Sequence, residues 1–311
     1  MELVRAVAAI DCGTNSTRLL IADGRGRAVE RQMRITRLGE GVDEKGVLSD
    51  EAIDRTVSVL RDYRETMRRL SVSKGRLVAT SAVRDAANRS AFLSAAEQAT
   101  GLEPEVLTGI EEGRLSLAGA VGDLDPGDGP FLVVDIGGGS TELVVGKGPD
   151  DPELEVVSLQ LGCVRITERF LRSDPPTRDE LDDAESVIGH SLDTVIEEHP
   201  RLVTAHRLVG LAGTVSTVAA LRLGLKEYDR AQVHHAVLTL TDAEEWYRTL
   251  ASEVAVARLD RAGMVTGRED VIVGGALMLV AVMTHFGFEE CVVSESDILD
   301  GMVAGLLAAG A

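Results

Sequence analysis

The stretch "IDCGTNSTRLLI" at residues 10–21 returns in outline as "VDIGGGSTELVV" at residues 134–145. Asp11, Gly13, Ser16, Thr17 and Leu19 fall on Asp135, Gly137, Ser140, Thr141 and Leu143. Each copy is an apolar run ending in aspartate, a glycine- and hydroxyl-rich turn, and a second apolar run. That pattern reads as strand, tight loop, strand.

Working outward, the repeat extends beyond the hairpin. Residues 4–10 and "TRLLIAD" pair as strands, "RAVERQMRITRLG" supplies a third, and "SDEAIDRTVSVLRDYRETMRRL" (49–70) is a helix with Ile53, Val57, Leu60 and Met67 at helical spacing. Ser49 or Asp50 caps it, with acids in the first turn. The same order restarts at "FLVVDIG", after the Gly-, Pro- and Asp-rich "GDLDPGDGP" at 122–130. A chain of 311 residues exceeds what one core usually holds. The expected fold class is therefore α/β, a duplicated domain with its two loops facing one another across a central cleft. Domain I is expected over 1–124 plus a carboxy-terminal helix at 297–311, and domain II over 125–296.

The bulk composition narrows the function. Apolar residues make up 44% of the chain and aromatics 3%, so the cores must be built from Val, Leu, Ile and Ala. A net charge of −19 disfavours nucleic acid as a partner, since phosphate contacts need a basic face. Arginines do cluster in "RGRAVERQMRITR" (25–37) and "RDYRETMRRL" (61–70), as a solvated surface or as a local positive field for a polyanion. Cys12, Cys163 and Cys291 are far apart and form no CxxC pair, which suits a reducing compartment and not a disulfide framework. The longest apolar run, "VIVGGALMLVAVM" (271–283), is short for a bilayer and reads as a buried helix. With no signal-peptide pattern, the expectation is a cytoplasmic protein without a membrane partner.

The loops suit phosphate. Glycine removes the Cβ that would obstruct an oxyanion, and backbone N–H groups then converge on it. The expected phosphate contacts are Gly13, Thr14, Asn15, Ser16 and Thr17 in the first loop, and Gly137, Gly138, Gly139, Ser140 and Thr141 in the second. Asp11 and Asp135, at equivalent strand ends, are expected to hold a divalent cation. Neither a Walker loop nor a Rossmann loop fits, because "GGGST" leads into a strand. Paired hairpins of this kind belong to the RNase H-like, actin-like ATPase fold shared with sugar kinases and heat-shock chaperones.

Four blocks then carry a specific resemblance: "AAIDCGTNSTRLLIA", "VATSAVRDAANRSAF", "LTGIEEGRLSLAGA" and "VVDIGGGSTELV", with "GLAGTVSTVAAL" as a looser fifth. Over essentially its whole length the chain resembles the exopolyphosphatase/guanosine pentaphosphate phosphohydrolase (Ppx/GppA) family. The resemblance implies removal of a terminal phosphate from inorganic polyphosphate, or from guanosine pentaphosphate, with Mg2+. It implies Glu112 as general base, the second acid of "EEGR", with Glu111 pointing elsewhere. Asp135 would organise Mg2+ or the attacking water, with Glu142 as a second carboxylate. Arg84 would fork onto phosphate oxygens, its structural alternative being a pair with Asp85. Gly213 and Thr214 would bound the far side of the cleft. The family's longer members carry an extra helical domain. This chain reads as the short form, with a homodimer expected from family behaviour. A regulator that binds polyphosphate or a guanine alarmone without cleaving it would keep the loops but not need Glu112, Asp135 and Arg84 together. The pair His234–His235 cannot turn both rings to one metal from one face of a regular element, and Cys12, without a neighbouring histidine, reads as a packing residue.

Overall fold

In a computed structural model that describes residues 6–309, the chain divides into two units, 1–119 with 298–311, and 120–297. The passages between them lie at 119/120 and 297/298, against 124/125 and 296/297 read from the sequence.

The first unit holds a sheet of β1 (Ala6–Cys12), β2 (Ser16–Ala22), β3 (Ala28–Ile35), β4 (Val72–Ala79) and β5 (Pro104–Val106), in the order β3-β2-β1-β4-β5. β1, β2 and β3 form an antiparallel meander, and β4 and β5 add parallel to β1. β1 is buried along its whole length, so it reads as an unbroken apolar run. Its alternate residues serve two cores. Ala6, Ala8, Ile10 and Cys12 pack with Leu60, Tyr63 and Phe92 on one face. Val7 and Ala9 pack on the other face with Leu107 and with Ile298, Leu299 and Met302 of the last helix, Ile298–Ala308. The long helix Asp50–Arg69 is capped by Ser49, whose hydroxyl accepts from the Ala52 N–H at 3.2 Å. It buries Val57, Leu60, Tyr63 and Met67, whereas Ile53 is only partly covered.

The second unit repeats the plan with β6 (Phe131–Ile136), β7 (Thr141–Gly146), β8 (Glu155–Leu159), β9 (Arg207–Leu211), β10 (Val237–Thr239) and β11 (Glu290–Val293), in the order β10-β11-β9-β6-β7-β8. Reading β8-β7-β6-β9-β11 against β3-β2-β1-β4-β5 matches every neighbour and every direction, with β10 added at the edge. The sequence duplication is thus a duplication of topology. The apolar run at 271–283 lies in the buried helix Ile272–His285, and no helix among the described residues is long and apolar enough to cross a membrane.

Candidate active site

In the first unit the loop between β1 and β2 is closed by Gly13 N–H donating to Ser16 O at 3.0 Å. Residues 36–39 fasten its far side. Thr36 and Arg37 N–H donate to Asn15 O at 3.1 and 2.9 Å, and Gly39 N–H donates to Thr14 O at 2.8 Å. Gly39 has to be glycine, since a Cβ there would lie 2.3 Å from the Thr14 methyl. Thr14 is accordingly buried, and Asn15 and Ser16 remain half-buried at the turn.

Asp11 sits at the end of β1 directly opposite Arg18 of β2. Arg18 Nε and Nη2 both donate to Asp11 Oδ2, at 3.0 and 2.6 Å. That guanidinium neutralises Asp11 in place and competes with any cation there, which weighs against Asp11 as a metal ligand. In the second unit the position opposite Asp135 is Glu142. Both are buried, at 7% and 1% exposure, and Ser158 Oγ donates to Glu142 Oε1 at 2.8 Å. One hairpin therefore pairs acid with base and the other pairs acid with acid. Carboxylate oxygens of this kind suit a hard divalent ion.

The hydroxyls divide by strand alternation. Thr17 lies on the face of Leu19 and Ile21, fully buried, with its Oγ1 2.9 Å from Thr36 Oγ1. Thr141 lies on the face of Leu143 and donates to Leu161 O at 2.6 Å. The structure turns both hydroxyls, expected at phosphate, into internal contacts. A period of two sends the second hydroxyl of each Ser-Thr pair into the core.

The Gly137–Ser140 loop is clamped from below by a glycine that motif reading passed over. Gly162, at the N-cap of the helix Cys163–Phe170, would place a Cβ 2.5 Å from the carbonyl of Gly138. The next amides, Cys163 and Val164, donate to Gly137 O and Gly138 O, each at 2.9 Å. Gly137 and Gly138 stay half-buried, and Gly139 and Ser140 are buried.

Gly213 and Thr214 open the helix Ala212–Leu223, after a left-handed Ala212 at φ 66°. The Gly213 carbonyl accepts from Thr217 Oγ1 at 2.6 Å and from Arg268 Nη1, and a Cβ on Gly213 would collide with that guanidinium. Thr214 is 4% exposed and packs against Gly275. Arg268, which also donates to Thr217 Oγ1 at 3.0 Å, places a cation at this turn through contacts distant in sequence.

The two glutamates of "EEGR" have separate roles. Glu111 Oε2 accepts from Thr108 N–H and Thr108 Oγ1, both at 2.8 Å, at the start of the helix Gly109–Ala120. The Thr108 backbone N–H, then its hydroxyl, hold the Glu111 carboxyl below its ordinary range. Glu111 is thus the helix-start acid. Glu112 faces Arg84 instead, with Arg84 Nη1 3.3 Å from Glu112 Oε2 and 2.8 Å from Leu107 O. Both side chains are mostly covered, at 19% and 12% exposure. Cys12 is buried in the core, and burial, followed by the Asp11 charge, pushes its thiol up, so it is a poor nucleophile. Cys163 and Cys291 are also buried and free, and burial raises them to about 11 and about 12.

A sequence model of the Ppx/GppA phosphatase family matches residues 20–309. The chain belongs to the Ppx/GppA phosphatase family. It is 43% identical to Exopolyphosphatase 2 of Mycobacterium tuberculosis, over 98% of this chain and 99% of that protein. A solved exopolyphosphatase-like protein is 36% identical and superposes with a TM-score of 0.91 over 97% of each chain. Guanosine-5'-triphosphate,3'-diphosphate pyrophosphatase of Photobacterium profundum is 30% identical over 95% of this chain but 58% of its own length. Like its relatives in the Ppx/GppA family, the protein is a hydrolase, and its two sheets are the doubled α/β plan of that fold.

Proposed function

We propose that the protein is an exopolyphosphatase that hydrolyses the terminal phosphate of inorganic polyphosphate, with Glu112 as general base and Mg2+ as cofactor. The observation that carries this reading is the Arg84–Glu112 pair, a cation and a carboxylate held 3.3 Å apart and mostly covered beside the start of a helix, whose opening contact to Thr108 is made by Glu111. A relative named as an exopolyphosphatase, matched nearly end to end, favours the polymer over the nucleotide.

Each residue then has a task. Arg84 carries the fork that phosphate oxygens accept, and its attraction to an arriving phosphate draws it from Glu112. Released from that partner, the Glu112 carboxylate takes the proton of the attacking water as the new P–O bond forms and the anhydride oxygen leaves. Asn15 and Ser16 in the first unit, and the amides of the Gly137–Ser140 loop in the second, are each proposed as phosphate contacts. Asp135 and Glu142 are the residues proposed for Mg2+, which when bound offsets phosphate charge. A net charge of −19 makes such neutralisation necessary for a polyanionic substrate.

Phosphate release from polyphosphate and from guanosine pentaphosphate, each with Mg2+ and with chelator, tests the reading. Mg2+-dependent release from polyphosphate with a higher kcat/KM is expected. Preference for guanosine pentaphosphate would make the protein the nucleotide phosphohydrolase. Tight binding of polyphosphate with no release from either would make it a regulator.

A further inference from the structure

His234 uses both ring nitrogens, and they reach the two stretches by which the chain enters and leaves its unit. The passages lie at 119/120 and 297/298. Just inside the first, Asp123 Oδ2 lies 2.8 Å from His234 Nε2. Just before the second, the Glu295 N–H donates to His234 Nδ1 at 3.1 Å. One protonation state satisfies both. Nδ1 must offer its lone pair to Glu295, so the hydrogen sits on Nε2 and is donated to Asp123.

His235 explains how adjacent histidines converge. It adopts φ 62°, a left-handed conformation costing an L-residue on the order of 1 kcal/mol, so the chain here is no regular element. Its ring stacks on His234 with centroids 3.9 Å apart, and its Nε2 lies 3.5 Å from Asp123 Oδ1. The sequence expectation assumed regular backbone, and the turn removes that premise. The potential ligand atoms of Asp123, His234 and His235 lie within 4.8 Å of one another. A metal on His234 Nε2 would nevertheless require the hydrogen on Nδ1, where the Glu295 N–H already points.

We propose that His234 is a positioning residue that ties the two connecting segments together while neutral and releases the Glu295 backbone amide when protonated. A hydrogen on Nδ1 faces the Glu295 N–H, donor against donor, so that bond is lost, whereas the imidazolium keeps and strengthens its bond to Asp123. Among the described residues, the charged and titratable groups in contact with His234 or with Glu295 include Asp123, His235, Arg230 and Tyr228. Arg230 Nη2 donates to Glu295 O at 2.9 Å, and Tyr228 Oη donates to Glu295 Oε1 at 2.5 Å, so the segment remains attached through Glu295 while its amide is freed. That segment leads into the helix Ile298–Ala308, which covers the sheet face carrying Val7 and Ala9.

Histidine-selective 15N spectra of the full chain, with amide hydrogen exchange of residues 294–298, test this. At about pH 8 the His234 Nδ1 should be unprotonated and Nε2 protonated. Lowering the pH until the same spectra show the His234 ring doubly protonated should speed Glu295 amide exchange about fivefold beyond the intrinsic change, the factor one hydrogen bond commands. His234→Asn, whose amide oxygen can accept from Glu295 without titrating, should abolish that pH dependence. A hydrogen on Nδ1 at about pH 8, or Glu295 protection unchanged across the range in the wild type, overturns the proposal. These spectra of the wild-type chain decide it even if the variant does not fold.

Discussion

Arg18 places two nitrogens on a single oxygen of Asp11, at 3.0 and 2.6 Å, across the first hairpin. The same cross-strand place in the second hairpin holds Glu142 opposite Asp135. Duplication preserved the backbone and reversed one charge. Replacing Arg18 with Gln takes a cation and its two hydrogen bonds away from Asp11, which is 2% exposed. Arg18 keeps some solvent, which reduces the cost expected for a broken buried pair to about 2 kcal/mol. Urea midpoints of the two single variants and the Asp11→Asn/Arg18→Gln double variant should show positive coupling, and additive losses would contradict the pairing.

Glu112 and Glu111 should separate activity from stability. Glu112→Gln is expected to lower kcat about 10²–10⁴-fold with little change in melting temperature. Glu111→Gln should retain activity and lose about 1 kcal/mol, the worth of a helix-start contact. Because the Glu111 carboxyl is depressed below 4.5, its contribution is complete above that pH and is lost as pH falls through the folded value. Acid unfolding of wild type and Glu111→Gln should therefore converge once the pH has fallen through the depressed folded value, below 4.5.

The two hydroxyls of the first Ser-Thr pair make opposite predictions. Thr17→Val removes an internal contact with Thr36, so it should cost about 1 kcal/mol and leave KM unchanged. Ser16→Ala should raise KM severalfold and leave the unfolding midpoint nearly unchanged. Steady-state kinetics with parallel denaturant curves distinguish them, and a raised KM in Thr17→Val would restore Thr17 to the phosphate site.

Gly162→Ala forces a methyl to within 2.5 Å of the Gly138 carbonyl, which is backbone and cannot swing aside. The Gly137–Ser140 loop must move, and a displacement of even 1 Å at a positioning loop can cost about 100-fold in rate. A kcat/KM loss much larger than the stability loss is expected. Wild-type kinetics in this variant would remove Gly162 from the positioning of the loop.

Mg2+ dependence should fall on the acid pair. Glu142→Gln, which keeps the shape and the contact to Ser158 but removes a charge, should raise the Mg2+ concentration for half-maximal activity at least tenfold. Arg18→Gln should not shift it. Activity titrated against free Mg2+ gives the comparison.

Much of this was legible in the chain itself. The repeat of Asp, Gly, Ser/Thr and Leu sets two hairpins of one kind, because strand alternation and glycine turns are local rules that a dozen residues can state. The family resemblance of the "EEGR" and "TSAVRDA" blocks singled out Glu112 and Arg84, which the structure pairs. Only the tertiary structure decided which hydroxyl of each Ser-Thr pair faces inward, that Arg18 neutralises Asp11, and that Gly162 and Arg268 brace turns far away in sequence. It also brought His234 and His235 to one carboxylate. These outcomes rest on contacts between residues that no short window holds together, and on one backbone angle that departs from the regular elements periodicity can read.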